Sequence, residues 1–123
     1  MVSRKQHIEM LRLDPESGWQ DLPGFPGGLE HRPLANDLDE KRKTGSRTRL
    51  IRFAPGVSTE EALVHDYWEE VLLLSGDLTP KQDPVPASAE TMAYCLRPPG
   101  TPHGPFISHT GCVLMEVQYY LKD

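Results

Sequence analysis

Proline and glycine interrupt this chain so often that it has room for short strands and turns and little room for helices. There are 12 prolines and 10 glycines among 123 residues. The runs between them alternate apolar and polar side chains instead of repeating at helical intervals. That pattern predicts an all-β domain of roughly eight to ten strands, a sandwich or barrel.

The alternating runs set the expected elements. Positions 7–13 read as a first strand, with Ile8 and Met10 on one side and Glu9, Leu11 and Leu13 on the other. Further strands are expected over 29–34, 47–53, 62–65, 69–78, 91–97, 103–106 and 111–121, with a proline-rich surface loop over 79–90. Residues 1–123 are expected to form one domain, its barrel core at roughly 29–121 and the strand at 7–13 covering the sheet. The run Val71-Leu72-Leu73-Leu74 does not alternate, which calls for cover on both faces of its strand. One face would be the interior. The other would meet the N-terminal strand or a second copy of the chain, and a homodimer is expected.

Charge and cysteine content narrow the function classes. The net charge of −5 gives no electrostatic reason to approach nucleic acid or anionic lipid. The basic run Lys41-Arg42-Lys43 sits beside Asp37, Asp39 and Glu40, which makes it a solvated mixed-charge loop. The longest aliphatic run, 71–74, is far too short to span a bilayer. Cys95 and Cys112 lie in apolar strands without a CxxC pair, as expected of buried free thiols in a reducing compartment. The N-terminus has no apolar signal core, and a cytoplasmic location is the expectation.

Three residues carry metal chemistry. His65 and Glu69 are four positions apart with a bend between them, and His103 follows the turn Pro98-Pro-Gly100. Along Glu69-Glu70-Val71 side chains alternate, so Glu69 shares the inner face with Val71 and Leu73. Two imidazoles and one carboxylate form a three-ligand site with open positions, suited to Fe(II) first, and also to Zn(II), Mn(II) or Ni(II).

These stretches resemble the two motifs of the cupin superfamily. Residues 63–76 are similar to H-x-H-x3,4-E-x6-G, with His65 as the second histidine, then Glu69 and Gly76. Pro98-x-Gly100-x-x-His103 is similar to P-x-G-x-x-H. Leu63 stands where the first motif has its other histidine, Met92 replaces the opening glycine of the second, and Ile107 replaces its asparagine. An alternative alignment makes His65 the first histidine and puts Tyr67 at the second. The resemblance implies a double-stranded β-helix, the jelly-roll barrel. The wording around Pro98–Pro105 and 111–118 resembles a subgroup of cupins that includes the cupin domain of certain zinc-binding anti-sigma factors and acetylacetone- or hydroxyacetophenone-cleaving dioxygenases.

Around that centre, Tyr67, Trp68 and Phe106 are candidate pocket walls. At most one of Arg49 and Arg52 can face the interior, and Arg49 is the candidate. Glu116 shares a face with Cys112, Leu114 and Gln118, and is a possible fourth ligand or general base. His7, His31 and His109 are expected on the surface. The expected function is a metal-dependent enzyme acting on a small oxygenated molecule, by resemblance a diketone or hydroxyketone cleaved oxidatively. A metal-dependent isomerase or lyase, a non-catalytic zinc sensor or ligand-binding module, and a metal-free barrel are the alternatives.

Overall fold

The computed structural model describes residues 5–81, 87–88 and 92–122. Among the described residues there are eight strands: β1 Gln20–Asp21, β2 Leu29–Asn36, β3 Ser46–Phe53, β4 Trp68–Pro80, β5 Ala87–Ser88, β6 Tyr94–Arg97, β7 Phe106–Ile107 and β8 Cys112–Tyr119. Among the described residues there is no helix, as the punctuation predicts. All pairings are antiparallel, in the order β1-β2-β3-β8-β4-β5, with β6 and β7 also pairing with β4.

Register decides which side chains meet inside. β3 and β8 pair Arg47 with Gln118, Arg49 with Glu116, Ile51 with Leu114 and Phe53 with Cys112. β4 and β8 pair Glu69 with Gln118 and Leu73 with Leu114. With a side-chain period of two, each inward row runs from charged residues at one end to apolar ones at the other. The apolar end is the core: Leu22, Leu29, Ile51, Phe53, Val71, Leu73, Cys112 and Leu114 are buried together. The charged end lies at the open half of the same interior.

Gly76 makes the centre of β4 possible. It follows a register shift between Leu73 and Ser75 and has φ +78°, and a Cβ there would lie 1.8 Å from the carbonyl oxygen of Gly111. No side chain fits that approach. Beside it, Asp77 accepts hydrogen bonds from the backbone N–H groups of His109 (3.0 Å) and Thr110 (2.7 Å) and from the Thr110 hydroxyl (2.5 Å). It thereby fixes the turn that leads into β8.

Several expectations need correction. Positions 7–13 form no strand, and Ile8, Met10 and Leu11 are exposed, because alternation alone does not supply a pairing partner. That segment does not cover the sheet. Of the strand expected over 62–65, only Leu63 pairs, bridging to His103. β4 continues through Thr79 and Pro80, where a loop was expected. Positions 82–86 and 89–91 lie outside the described residues. The outer side of the 71–74 run is only partly covered: Leu72 is half-buried and Leu74 is 46% exposed.

Asp77 yields a test. Burial pushes its carboxyl up, but the hydrogen bonds from Thr110 and from the His109 and Thr110 backbone outweigh this and hold it at about 2. The ordinary value is 3.8, so the folded state favours the ionised form. That advantage is complete above about pH 4 and is lost as pH falls through about 2. Asp77→Ala is expected to cost about 2 kcal/mol near neutrality, and the gap to the unsubstituted protein should narrow between pH 4 and 2. Urea unfolding across that range is the measurement.

Candidate metal centre

Backbone hydrogen bonds set the two histidines side by side. Leu63 and His103 exchange both of theirs, at 2.7 and 2.9 Å, and the Gly100 N–H donates to the carbonyl of His65 at 2.8 Å. The Pro98–Gly100 turn therefore clamps the segment before β4, with Gly100 at φ +83°. The imidazole centroids of His65 and His103 lie 5.0 Å apart. Glu69 enters from β4 on the inner face, as parity predicts, and is 2% exposed.

The ligand atoms converge. Nε2 of His103 is 3.5 Å from Glu69 Oε1, and Nε2 of His65 is 4.0 Å from Glu69 Oε2. One ligand atom from each of the three residues falls within 4.8 Å of the others. An ion bonded at about 2.1 Å needs only small side-chain movements to close this set. The donor chemistry also fits. Burial lowers the pKa of both His65 and His103, keeping the imidazoles neutral, as ligation requires. His103 Nδ1 lies 3.2 Å from the Thr101 carbonyl oxygen; donating there places the ring hydrogen on Nδ1 and frees Nε2 for the site. Tyr67 stacks on His65 at 4.6 Å and 13°, and burial pushes its phenol up to about 12, so it stays protonated.

Sequence reasoning missed the groups that hold Glu69. Arg97 Nη1 donates to Oε1 at 2.9 Å and Gln118 Nε2 donates to Oε2 at 2.6 Å. Gln118 Oε1 in turn accepts from Arg47 Nε at 2.7 Å. An inward carboxylate therefore has a counter-charge within the chain itself, and a metal is not needed to explain its orientation. The missed residues sit directly across strands from Glu69, at Arg97 in β6 and Gln118 in β8. Only the pairing reveals them.

The remaining candidates divide. Arg49, Tyr67, Phe106 and Glu116 line an interior cavity of about 400 Å³ together with the three ligands. Arg49 pairs with Glu116 at 2.8 Å, whereas Arg52 points outward, pairing with Glu30 at 2.7 Å and lying over the Trp19 ring. Burial and the nearby Glu69 raise the Glu116 pKa, with Arg49 opposing. Glu116 falls outside the ligand cluster, which argues against a fourth-ligand role. Trp68 is a correction: it lies on the outer face, stacked on Tyr119 at 8°, because the alternation that turns Glu69 in turns Trp68 out. His31, expected on the surface, lines the cavity. It follows the core residue Leu29 by two positions, a signal present in the sequence.

Comparison with known proteins agrees with this geometry. A family model described as the ChrR cupin-like domain matches residues 7–122. Among curated proteins none matches the chain significantly. An RmlC-like cupin from Shewanella frigidimarina superposes with a TM-score of 0.66 at 16% identity, over 97% of both chains. An acetylacetone dioxygenase from Acinetobacter johnsonii gives 0.69 at 17%, over 100% of this chain and 85% of that one. The structure of Rhodobacter sphaeroides SigE with the anti-sigma ChrR gives 0.63 at 17%, over 86% of this chain and 51% of that one. At these identities the likeness is one of fold.

Leu63 offers a direct test of the site, since it lines the cavity in cross-strand register with His103. Leu63→His would add a fourth donor beside the other three and is expected to tighten metal binding by about tenfold or more. His103→Ala is expected to abolish metal retention. Both are read by competition with a chromophoric chelator. Unchanged affinity in the two variants would place the metal elsewhere.

Proposed function

The chain belongs to the ChrR cupin-like family, and on that premise we propose that it binds one divalent transition metal through His65, Glu69 and His103 and acts on a small oxygenated substrate. The observation that carries this reading is the convergence of two neutral imidazoles and a carboxylate on the wall of a cavity large enough for a small molecule. Bound there, Fe(II) or a similar ion would act as a Lewis acid on paired substrate oxygens at its open positions. Arg97 and Gln118 orient Glu69. Tyr67 and Phe106 wall the cavity, and Glu116, which lines it with them, would accept a substrate proton. The reaction we favour is dioxygenase-type cleavage of a diketone or hydroxyketone, a reading supported by fold likeness to an acetylacetone dioxygenase. A metal-dependent isomerisation or lyase reaction would use the same groups.

A second reading is a zinc-holding sensor without turnover; what supports it is that the family is named after ChrR, and an anti-sigma ChrR is among the proteins of like fold. Metal analysis and oxygen uptake separate the two. The enzyme reading predicts iron in protein purified without chelator or nickel resin, and oxygen consumption with pentane-2,4-dione. Zinc with no uptake would favour the sensor, and no metal at all would overturn both.

We also propose a cytoplasmic homodimer. The two free thiols, Cys95 and Cys112, suit a reducing compartment. The outer face of β4 and β6 carries Leu74, Tyr94 and Leu96 at 46%, 59% and 51% exposure, a patch a second copy would cover. Light scattering should give twice the chain mass, and Leu96→Lys should return the monomer. A monomeric unsubstituted protein would contradict this.

A further inference from the structure

Among the described residues, three arginines and three glutamates line the cavity, and one of those arginines has no carboxylate at ion-pair distance. Arg97 is paired with Glu69 at 2.9 Å and Arg49 with Glu116 at 2.8 Å. Arg47 lines the same cavity but rests on a neutral group, the Gln118 amide oxygen, through Nε at 2.7 Å and through Nη2. Among the described residues no carboxylate lies within ion-pair distance of it. A half-buried guanidinium held only by an amide is an incomplete arrangement, since a desolvated charge is normally matched by an opposite one.

A second unsatisfied group lies on the same wall. His31 Nδ1 is buried without a hydrogen-bond partner, and His31 lines the cavity with Arg47 and Arg49. Gln118 links this end to the metal centre, its amide spanning from Arg47 to Glu69. Beyond the charged groups the cavity wall turns apolar, at Leu29, Ile51, Phe53 and Leu114. A guanidinium without an ion-pair partner, a neighbouring imidazole and apolar surroundings describe a seat for a monoanion on a short organic skeleton. The planar fork of an arginine suits a carboxylate best.

We propose that the substrate of this site is a carboxylate-bearing oxo compound, its carboxylate held by Arg47 beside His31 and its oxo oxygens directed to the triad. This rests on the function proposed above and names its substrate class: among diketones, one that carries a carboxylate is preferred over a neutral one. Arg47 is a specificity-determining residue.

The test compares 2,4-dioxopentanoate with its methyl ester, which keeps the skeleton and removes the charge. Binding is followed by calorimetry under anaerobic conditions, with metal content measured separately. The acid is expected to bind roughly 10- to 100-fold tighter than the ester. Arg47→Met should erase that preference, so that acid and ester bind it alike, with binding referred to the metal content measured for the variant. Arg47→Lys, which keeps charge but not the fork, should retain part of it, and this variant carries the test if Arg47→Met does not fold. Equal binding of acid and ester by the unsubstituted protein, or a preference that survives Arg47→Met, overturns the assignment. Repeating the pair on chelator-treated protein separates the two claims. An Arg47-dependent preference there, in protein that never retained metal, would sink the metal reading alone. Metal retention with no preference for the acid would sink this one alone.

Discussion

A carboxylate buried in the middle of a sheet has to be compensated, and the compensation of Glu69 organises this interior. Leaving such a group unpaired would cost several kcal/mol or force it to take up a proton. Here Arg97 and Gln118 each engage one of its oxygens, and they come from the strands on either side of β4. Because Gln118 also receives Arg47, the network crosses four neighbouring strands, β6, β4, β8 and β3. Register, charge balance and the direction of the Glu69 oxygens are thus parts of one arrangement. A one-residue slip of β8 would put Gln118 outside and break all three.

The same register separates two tasks within one small barrel. Ile51, Leu114, Leu73 and their neighbours supply the apolar contact that holds the sheets together. Arg47, Arg49, Glu116 and Gln118, two to four positions away on the same strands, line the charged end of the cavity. Metal-site precision comes from a separate source, the backbone pairing of Leu63 with His103 and the Gly100 bond to His65. Neither histidine depends on a mobile loop for its position. The rings are instead held by a clamped turn, and the carboxylate by its strand.

How much of this was legible in the sequence follows from what each inference needed. The strands expected over 29–34, 47–53 and 69–78 and the inward facing of Glu69 need only alternation, which is local, and these agree with the structure. The pairing of the two histidine segments was approachable because spaced motifs mark them. Arg97, Arg47 and Gln118 were not legible, since their roles exist only across strand pairs and no local pattern encodes which strand is the neighbour. His31 and Trp68 are different: two-residue alternation from Leu29 and from Glu69 assigns both, inward and outward. The strand expected over 7–13 shows the limit of pattern, since β-structure requires a partner as well as a propensity.

X-ray absorption at the metal edge tests the central claim most directly, because it reads the atoms around the ion. The account predicts a shell of nitrogen and oxygen at about 2.1 Å with the outer scattering of two imidazoles, and one imidazole after His65→Ala. Sulfur in that shell, or a sphere of light atoms without imidazole scattering, would contradict it.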